Sequence, residues 1–230
     1  MGVWLTPAEW SAVILSLQVS LTATIVSLPF GVALGYFLAR KQFWGKSLVE
    51  TTLSLPLVLP PVVTGYLLLV LLGRRGWVGS FLDEWFDLRF VFSWKGAAVA
   101  AAVMSFPLMV RAIRLAFSGV DSRLEGAART LGATRWETFF RISLPLARRG
   151  IIAGAVLSFA RALGEFGATV MLAGNIAGET QTIPLYIYNQ SYAPGGMEES
   201  VRLVVAAIVI AAAALFIAEY LERSQSLTLR

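Results

Sequence analysis

The sequence contains no cysteine and no histidine. Disulfide frameworks, thiol nucleophiles, the usual zinc sites and histidine proton relays are therefore excluded. Charge is scarce as well. Asp, Glu, Lys and Arg make up 14% of the 230 residues, against about a quarter of an average soluble domain. No GxxxxGK[ST] phosphate loop occurs, and no internal repeat or low-complexity tract is visible. What the chain does have is apolar surface: 57% hydrophobic residues and a mean hydropathy of +0.71. Such a composition cannot cover itself with polar side chains, so the expected class is a membrane protein. No set of nucleophile, base and metal ligands stands out, so the chain reads as a non-enzyme without cofactor or metal. The fold class that follows is an all-α polytopic helical bundle, one transmembrane domain over residues 1–230.

The spans can be read in order. Thr6-Pro7-Ala8-Glu9 writes a helix start, with a capping Thr, a Pro suited to the first turn and a Glu completing a capping box. Residues 11–39 then carry no charge; at 1.5 Å per residue that run is about 43 Å long, ample to cross a membrane. It is too long for a signal-peptide core, and residues 1–10 lack a basic leader, so a retained span is expected. The second uncharged run, 51–73, holds Pro56, Pro60 and Pro61 in its first half. A helix cannot pass smoothly through Pro60-Pro61, so a broken start and a regular helix from about Val62 are expected. Residues 74–89 include an amphipathic piece, Phe81, Leu82, Trp85, Phe86 and Leu88, that suits a membrane interface. Further spans are expected at about 90–110, 150–174 and 201–220, the last following a polar loop with Pro184, Pro194, Gly195 and Gly196.

Five spans put the termini on opposite sides. One set of connections holds Arg40, Lys41, Lys46, Arg111, Arg114, Arg123, Arg129, Arg135, Arg141, Arg148, Arg149, Arg223 and Arg230. The other set holds only Arg74, Arg75, Arg89, Lys95 and Arg202. The positive-inside rule then places the N-terminus outside and the C-terminus in the cytoplasm.

The richest of the basic connections is SRLEGAARTLGATRWETFFRISLP, residues 122–145. Ser122-x-x-Glu125 and Thr134-x-x-Glu137 both read as capping boxes. Gly132 between them reads as a left-handed stop. The second helix would carry Trp136, Phe139, Phe140 and Ile142 on roughly one side, and Pro145 would mark the start of the next span. Two capped helices within about 30 residues exceed what a connector needs. A DNA-binding helix-turn-helix is disfavoured, because the second helix is aromatic and the loop is hemmed in by spans; no nucleic acid partner is expected.

This spacing resembles the cytoplasmic loop of ABC importer permease subunits, whose signature is Glu-Ala-Ala, three residues, Gly, nine residues, Ile, one residue, Leu-Pro. Gly126-Ala127-Ala128, Gly132, Ile142 and Leu144-Pro145 occupy those positions. The departure is Gly126, which stands where the family has Glu; Glu125, one residue earlier, reads as a local cap. LPLVLPPVVTGYLLLVLLGRRGWVG (55–79), VMSFPLMVRAIR (103–114) and FARALGEFGATV (159–170) extend the likeness to the molybdate, tungstate and sulfate permeases, with the Leu-Pro and Pro-Pro start of the second span favouring the molybdate group. The resemblance implies a type I importer permease fold in the cell inner membrane. It implies a coupling loop, about 119–147, that docks through Gly126, Ala127, Ala128, Gly132, Ala133, Ile142, Leu144 and Pro145 on an ATP-binding subunit. It also implies a homodimer with two such subunits, an external binding protein and molybdate as the transported ion. Sulfate or tungstate import is the same-fold alternative. A channel or secondary transporter is the alternative of another class, disfavoured by the missing repeat.

One charged pair remains. Arg161 and Glu165, four residues apart, are expected on one face of the fourth span. Intramembrane charges face the bundle interior or a cavity. The pair reads either as a structural salt bridge or as control of an anion pathway.

Overall fold

The computed structural model describes residues 5–193 and 196–226. Pro194 and Gly195 of the polar loop and Arg230 of the basic set lie outside the described residues. Among the described residues every regular element is helical. The long ones are α1 (Pro7–Arg40), α5 (Trp94–Ser118), α8 (Leu144–Leu163) and α11 (Gly196–Ser226). The shorter ones are α2 (Lys46–Val58), α3 (Pro61–Leu72), α4 (Trp77–Phe86), α6 (Ser122–Thr130), α7 (Arg135–Thr138), α9 (Gly167–Ala173) and α10 (Ile183–Gln190).

The α1 start forms as its sequence indicates. Thr6 Oγ1 accepts the Glu9 amide at 3.3 Å, and Glu9 Oε2 accepts the Thr6 amide at 2.6 Å. From there α1, α5 and α8 pack into the central layer. Its middle is lined by small residues, with Ala97, Ala98 and Ala101 of α5 against Leu15, Val19 and Ala23 of α1. Small side chains let membrane helices approach closely, where dispersion contacts and not water exclusion hold them. Toward the Arg40 end the packing becomes bulkier, with Met109, Ile113 and Phe117 of α5 buried beside Tyr36 and Phe139.

Among the described residues four helical stretches are long and apolar enough to cross a membrane: Pro7–Arg40, Trp94–Ser118, Arg135–Leu163 and Ser200–Ile217. Taken together as one broken crossing, α2 and α3 bring the number to five. The Pro60-Pro61 break is sharper than a kink, since the two helices meet at 111°. Pro61 becomes the first residue of α3, where its missing N–H is no loss. No residue of α2 is buried. This helix stands off the bundle, tied to α5 by Arg111 Nη2 donating to Ser54 Oγ at 2.8 Å and by the Arg114–Glu50 pair at 2.7 Å. The interfacial piece expected near 81–88 is α4, which exposes Trp77, Phe81, Trp85 and Phe86.

The fourth span differs from the expected 150–174. Helix begins earlier, at Arg135, and runs through a π-helical turn at Phe139–Ser143 directly into α8. Pro145 therefore does not open a new span; it sits in the first turn of α8, directly after the π-helical turn. Helix also ends earlier, at Leu163. Gly164 to Phe166 break it, and the short α9 follows. The third span likewise runs on past 110 to Ser118, with Pro107 inside it.

The two broken segments lie against each other. A Cβ on Gly65 of α3 would fall 2.7 Å from Ala168 Cα and 2.8 Å from the Ala168 carbonyl oxygen. A Cβ on Gly167 would fall 2.7 Å from Pro61 Cβ. Here glycine is required by backbone approach. At Gly126, in the middle of α6, nothing lies within 4 Å of an added Cβ. Gly65→Ala should therefore destabilise by about 1–3 kcal/mol through overpacking, while Gly126→Ala should stabilise by about 0.5–1 kcal/mol through helix propensity. Unfolding midpoints of the two variants in detergent should move in opposite directions; shifts of the same sign would contradict the packing described.

Candidate functional site

The α5–α8 connection is the most elaborate structure in the chain. It begins with Asp121, whose Oδ1 accepts the Arg123 amide at 2.8 Å and so caps α6. This corrects the expectation for Ser122, which is the first helical residue and not the cap. It also corrects Glu125. The carboxylate does not turn back to the start of α6. It points into the bundle, and the residue is 3% exposed.

There Glu125 Oε1 accepts three hydrogen bonds: from Arg40 Nη2 at 2.7 Å, Arg40 Nε at 2.9 Å and Ser143 Oγ at 2.7 Å. Arg40 Nη2 also donates to the Val120 carbonyl at 3.0 Å. One carboxylate thus joins the last residue of α1, the α5–α6 link, α6 and the π-helical turn. Burying a charge is costly unless it is paired and hydrogen-bonded, and here both conditions are met. Arg129 Nη2 lies farther off, at 3.9 Å from Oε2. Arg40, Ser143 and Asp121 were not among the residues singled out from sequence. A usable signal existed for Glu125: it shares a helix face with Ala128 three residues on, so an inward aim was legible.

Gly132 behaves as its sequence position indicates. Its φ is +92°, a region open to glycine at little cost. The left-handed turn lets the Gly132 amide reach the Arg129 carbonyl at 3.1 Å and the Ala133 amide reach Ala128 at 3.0 Å. The second capping box also forms, with Thr134 N donating to Glu137 Oε2 at 2.8 Å and Glu137 N donating to Thr134 Oγ1 at 3.2 Å. The aromatics, however, do not share one side. Phe139 turns inward, its ring centroid 4.9 Å from that of Tyr36. Trp136 and Phe140 stay exposed and stack on each other at 6.1 Å. The outer surface of the loop is completed by Leu124 and Leu131, both exposed, the latter by 89%. Around them Gly126, Ala127, Gly132 and Pro145 are exposed, while Ala128, Ala133, Ile142 and Leu144 are half-buried. The loop therefore presents an apolar ridge on a rigid base.

The second charged site is the α8–α9 break. Arg161 Nη1 and Glu165 Oε2 are 2.7 Å apart, but the two residues are not on one helix face. Arg161 is in the last turn of α8, and Glu165 lies in the break. Glu165 Oε1 accepts the Ala168 amide at 2.9 Å, satisfying an orphan donor of α9. Its side chain is 2% exposed, against 28% for Arg161. The carboxylate ties the end of α8 to the start of α9. Among the described residues no group of three or more acidic side chains is placed to hold a metal ion.

The fold and these sites can be set beside known proteins. A family described as the binding-protein-dependent transport system inner membrane component matches residues 31–226. The chain belongs to that family. Curated relatives of this permease include the molybdenum transport system permease protein ModB of Escherichia coli (strain K12), 58% identical over 95% of this chain and 96% of that protein. The ModB of Haemophilus influenzae is 53% identical over 94% of both chains. The sulfate transport system permease protein CysT of Escherichia coli (strain K12) is more distant, 37% identical over 79% of this chain and 65% of that protein. Among solved structures, a bacterial ABC transporter involved in import of the acidic polysaccharide alginate gives a TM-score of 0.71 at 20% identity, covering 96% of this chain and 80% of that one. The MetNI methionine ABC transporter gives 0.65 at 18% identity, covering 94% of each. These likenesses establish the type I importer permease fold. The chain is a multi-pass inner-membrane permease of an ABC importer, a class that works with ATP-binding subunits and a substrate-binding protein.

The Glu125 site yields a stability test. Glu125→Leu would leave the Arg40 guanidinium, 17% exposed, without its acid. Unfolding in detergent should show a loss of about 3–5 kcal/mol, part of which Arg40→Met should restore in the double variant. A loss below about 1 kcal/mol, as for a surface pair, would contradict the buried-knot account.

Proposed function

We propose that the chain is the permease of a molybdate importer, working as a homodimer with two ATP-binding subunits. An external binding protein would deliver the oxyanion. The observation that carries the coupling part of this reading is the loop at 119–147, with its apolar ridge of Leu131, Trp136 and Phe140 seated on the Arg40–Glu125 knot. An exposed apolar ridge on a capped, buried-anchored element suits a protein groove. A flexible connector would need neither the anchor nor the caps.

In this reading the N-terminus is outside, and the ridge faces the cytoplasm with the thirteen basic residues of that side. Closing of the ATP-binding subunits on ATP moves the ridge. The clamp passes that motion to the bundle, and the two permease copies rock between outward- and inward-open states. Helix α2, which buries no residue, and the apolar cleft of about 550 Å³ between it and α5 suit the face that a second copy covers. The substrate is drawn from the relatives: the molybdenum permeases share 58% and 53% identity and the sulfate permease 37%. The Arg161–Glu165 pair is read here as structural, because Glu165 spends one oxygen on Arg161 and the other on α9. A guanidinium neutralised in this way attracts an anion weakly.

Proteoliposomes holding the chain and its ATP-binding subunits should accumulate molybdate only with internal-facing ATP and loaded binding protein. Uptake by the chain alone would identify a channel or secondary transporter. ATP-dependent uptake of sulfate in place of molybdate would move the assignment to the sulfate group.

A further inference from the structure

The two ends of α1 are held by different means to two different elements. At one end Arg40 binds Glu125 of α6. Near the other end Ser16 reaches α10. Its Oγ accepts the amide of Ile183, 167 positions away, at 2.7 Å, in a site where Ser16 is 2% exposed. Ile183 is the first residue of α10, and that amide is one of the orphan donors of a helix start. Nothing local replaces the bond. Thr182, at the cap position, makes no capping hydrogen bond, and its buried Oγ1 has no partner. Pro184 follows with no amide hydrogen to offer. The hydroxyl of Ser20 is satisfied within α1, since Ser20 Oγ donates to the Ser16 carbonyl at 2.7 Å. A second tie lies in the first turn of α1: Glu9 is 1% exposed, and its Oε1 is 3.2 Å from Arg202 Nη2 of α11.

The ties are joined by a single helix, since α1 is 34 residues from end to end, about 50 Å long. Pro29 removes a single ladder bond. Just beyond it Gly31 and Gly35 seat the helix on Met109 and Ile113 of α5, which supports the weakened turn. A continuous, laterally packed helix transmits displacement because a packed core does not deform smoothly.

We propose that α1 is the connecting rod of the permease, with Ser16 positioning α10 at the external end and Arg40 positioning α6 at the cytoplasmic end. Docking of the loaded binding protein on the α10 side then biases the same rigid element that the ATP-binding subunit engages through α6. Ser16 is a positioning residue: it touches neither partner nor substrate, and it acts through the start of α10. The proposal rests on the permease reading above.

The test uses the full complex in proteoliposomes. ATP hydrolysis is measured without and with binding protein loaded with molybdate. Ser16→Ala should keep basal hydrolysis while the stimulation falls by about fivefold or more, the scale of a lost allosteric coupling. Ser16→Thr, which keeps the hydroxyl, should restore it. Arg202→Gln loosens the same end by another contact and should give the same selective loss; it decides the matter if Ser16→Ala does not assemble. An unchanged stimulation ratio would overturn the proposal, as would basal and stimulated rates falling in step. A wild-type complex that shows no stimulation at all refutes the permease reading instead.

Discussion

The Glu125 carboxylate lies almost out of reach of solvent, and its hydrogen bonds there come from the Arg40 guanidinium and the Ser143 hydroxyl. Each partner comes from a different part of the chain. Arg40 ends α1, Ser143 ends the π-helical turn, and Glu125 sits in α6. Satisfying one anion therefore fixes three segments at once. The Val120 carbonyl, taken by the same guanidinium, adds the link from α5. Much else follows from this knot. With α6 pinned inward, Leu131, Trp136 and Phe140 are turned out. With the π-helical turn pinned, the second loop helix can run into α8 without a joint.

The bundle beyond the knot divides by packing style. The α1–α5–α8 layer is continuous and rich in alanine and small-residue contacts. The α3–α9 pair is built from broken segments joined through Gly65, Gly167 and Ala168. Broken helix inside a membrane is tolerable only where other groups replace the lost backbone bonds. Glu165 does so at the start of α9, and Arg161 pairs with it. The carboxylates at both sites are consumed by the fold, which leaves the chain with rigid layers and few places to bend. The breaks at Pro60 and at Gly164 are the clearest of these.

The class and the loop's internal signals were legible because they are local. Apolar runs, Pro60-Pro61, the Thr6 and Thr134 capping boxes and the left-handed Gly132 each depend on neighbours within a few residues. The failures were of two kinds. Ser122 matched a capping box as well as Asp121 matched a simple cap, and spacing alone could not choose between them. Glu125 was misread because its partner lies 85 positions away, and arginine at a span end has an ordinary explanation in membrane topology. The Arg161–Glu165 spacing correctly implied contact but for a helix that ends at Leu163. An acid one residue past a glycine is as good a cap for the next helix as it is a partner in the last.

The central claim, that α6 is locked to α1 by a buried ion pair, is most directly tested by hydrogen exchange of the α6 amides in a nanodisc. A helix of nine residues is marginal in water on its own, so slow exchange there must come from its anchor. The account predicts that amides of residues 126–131 exchange about as slowly as those at the Arg40 end of α1. Fast exchange throughout α6 beside a protected α1 would contradict it.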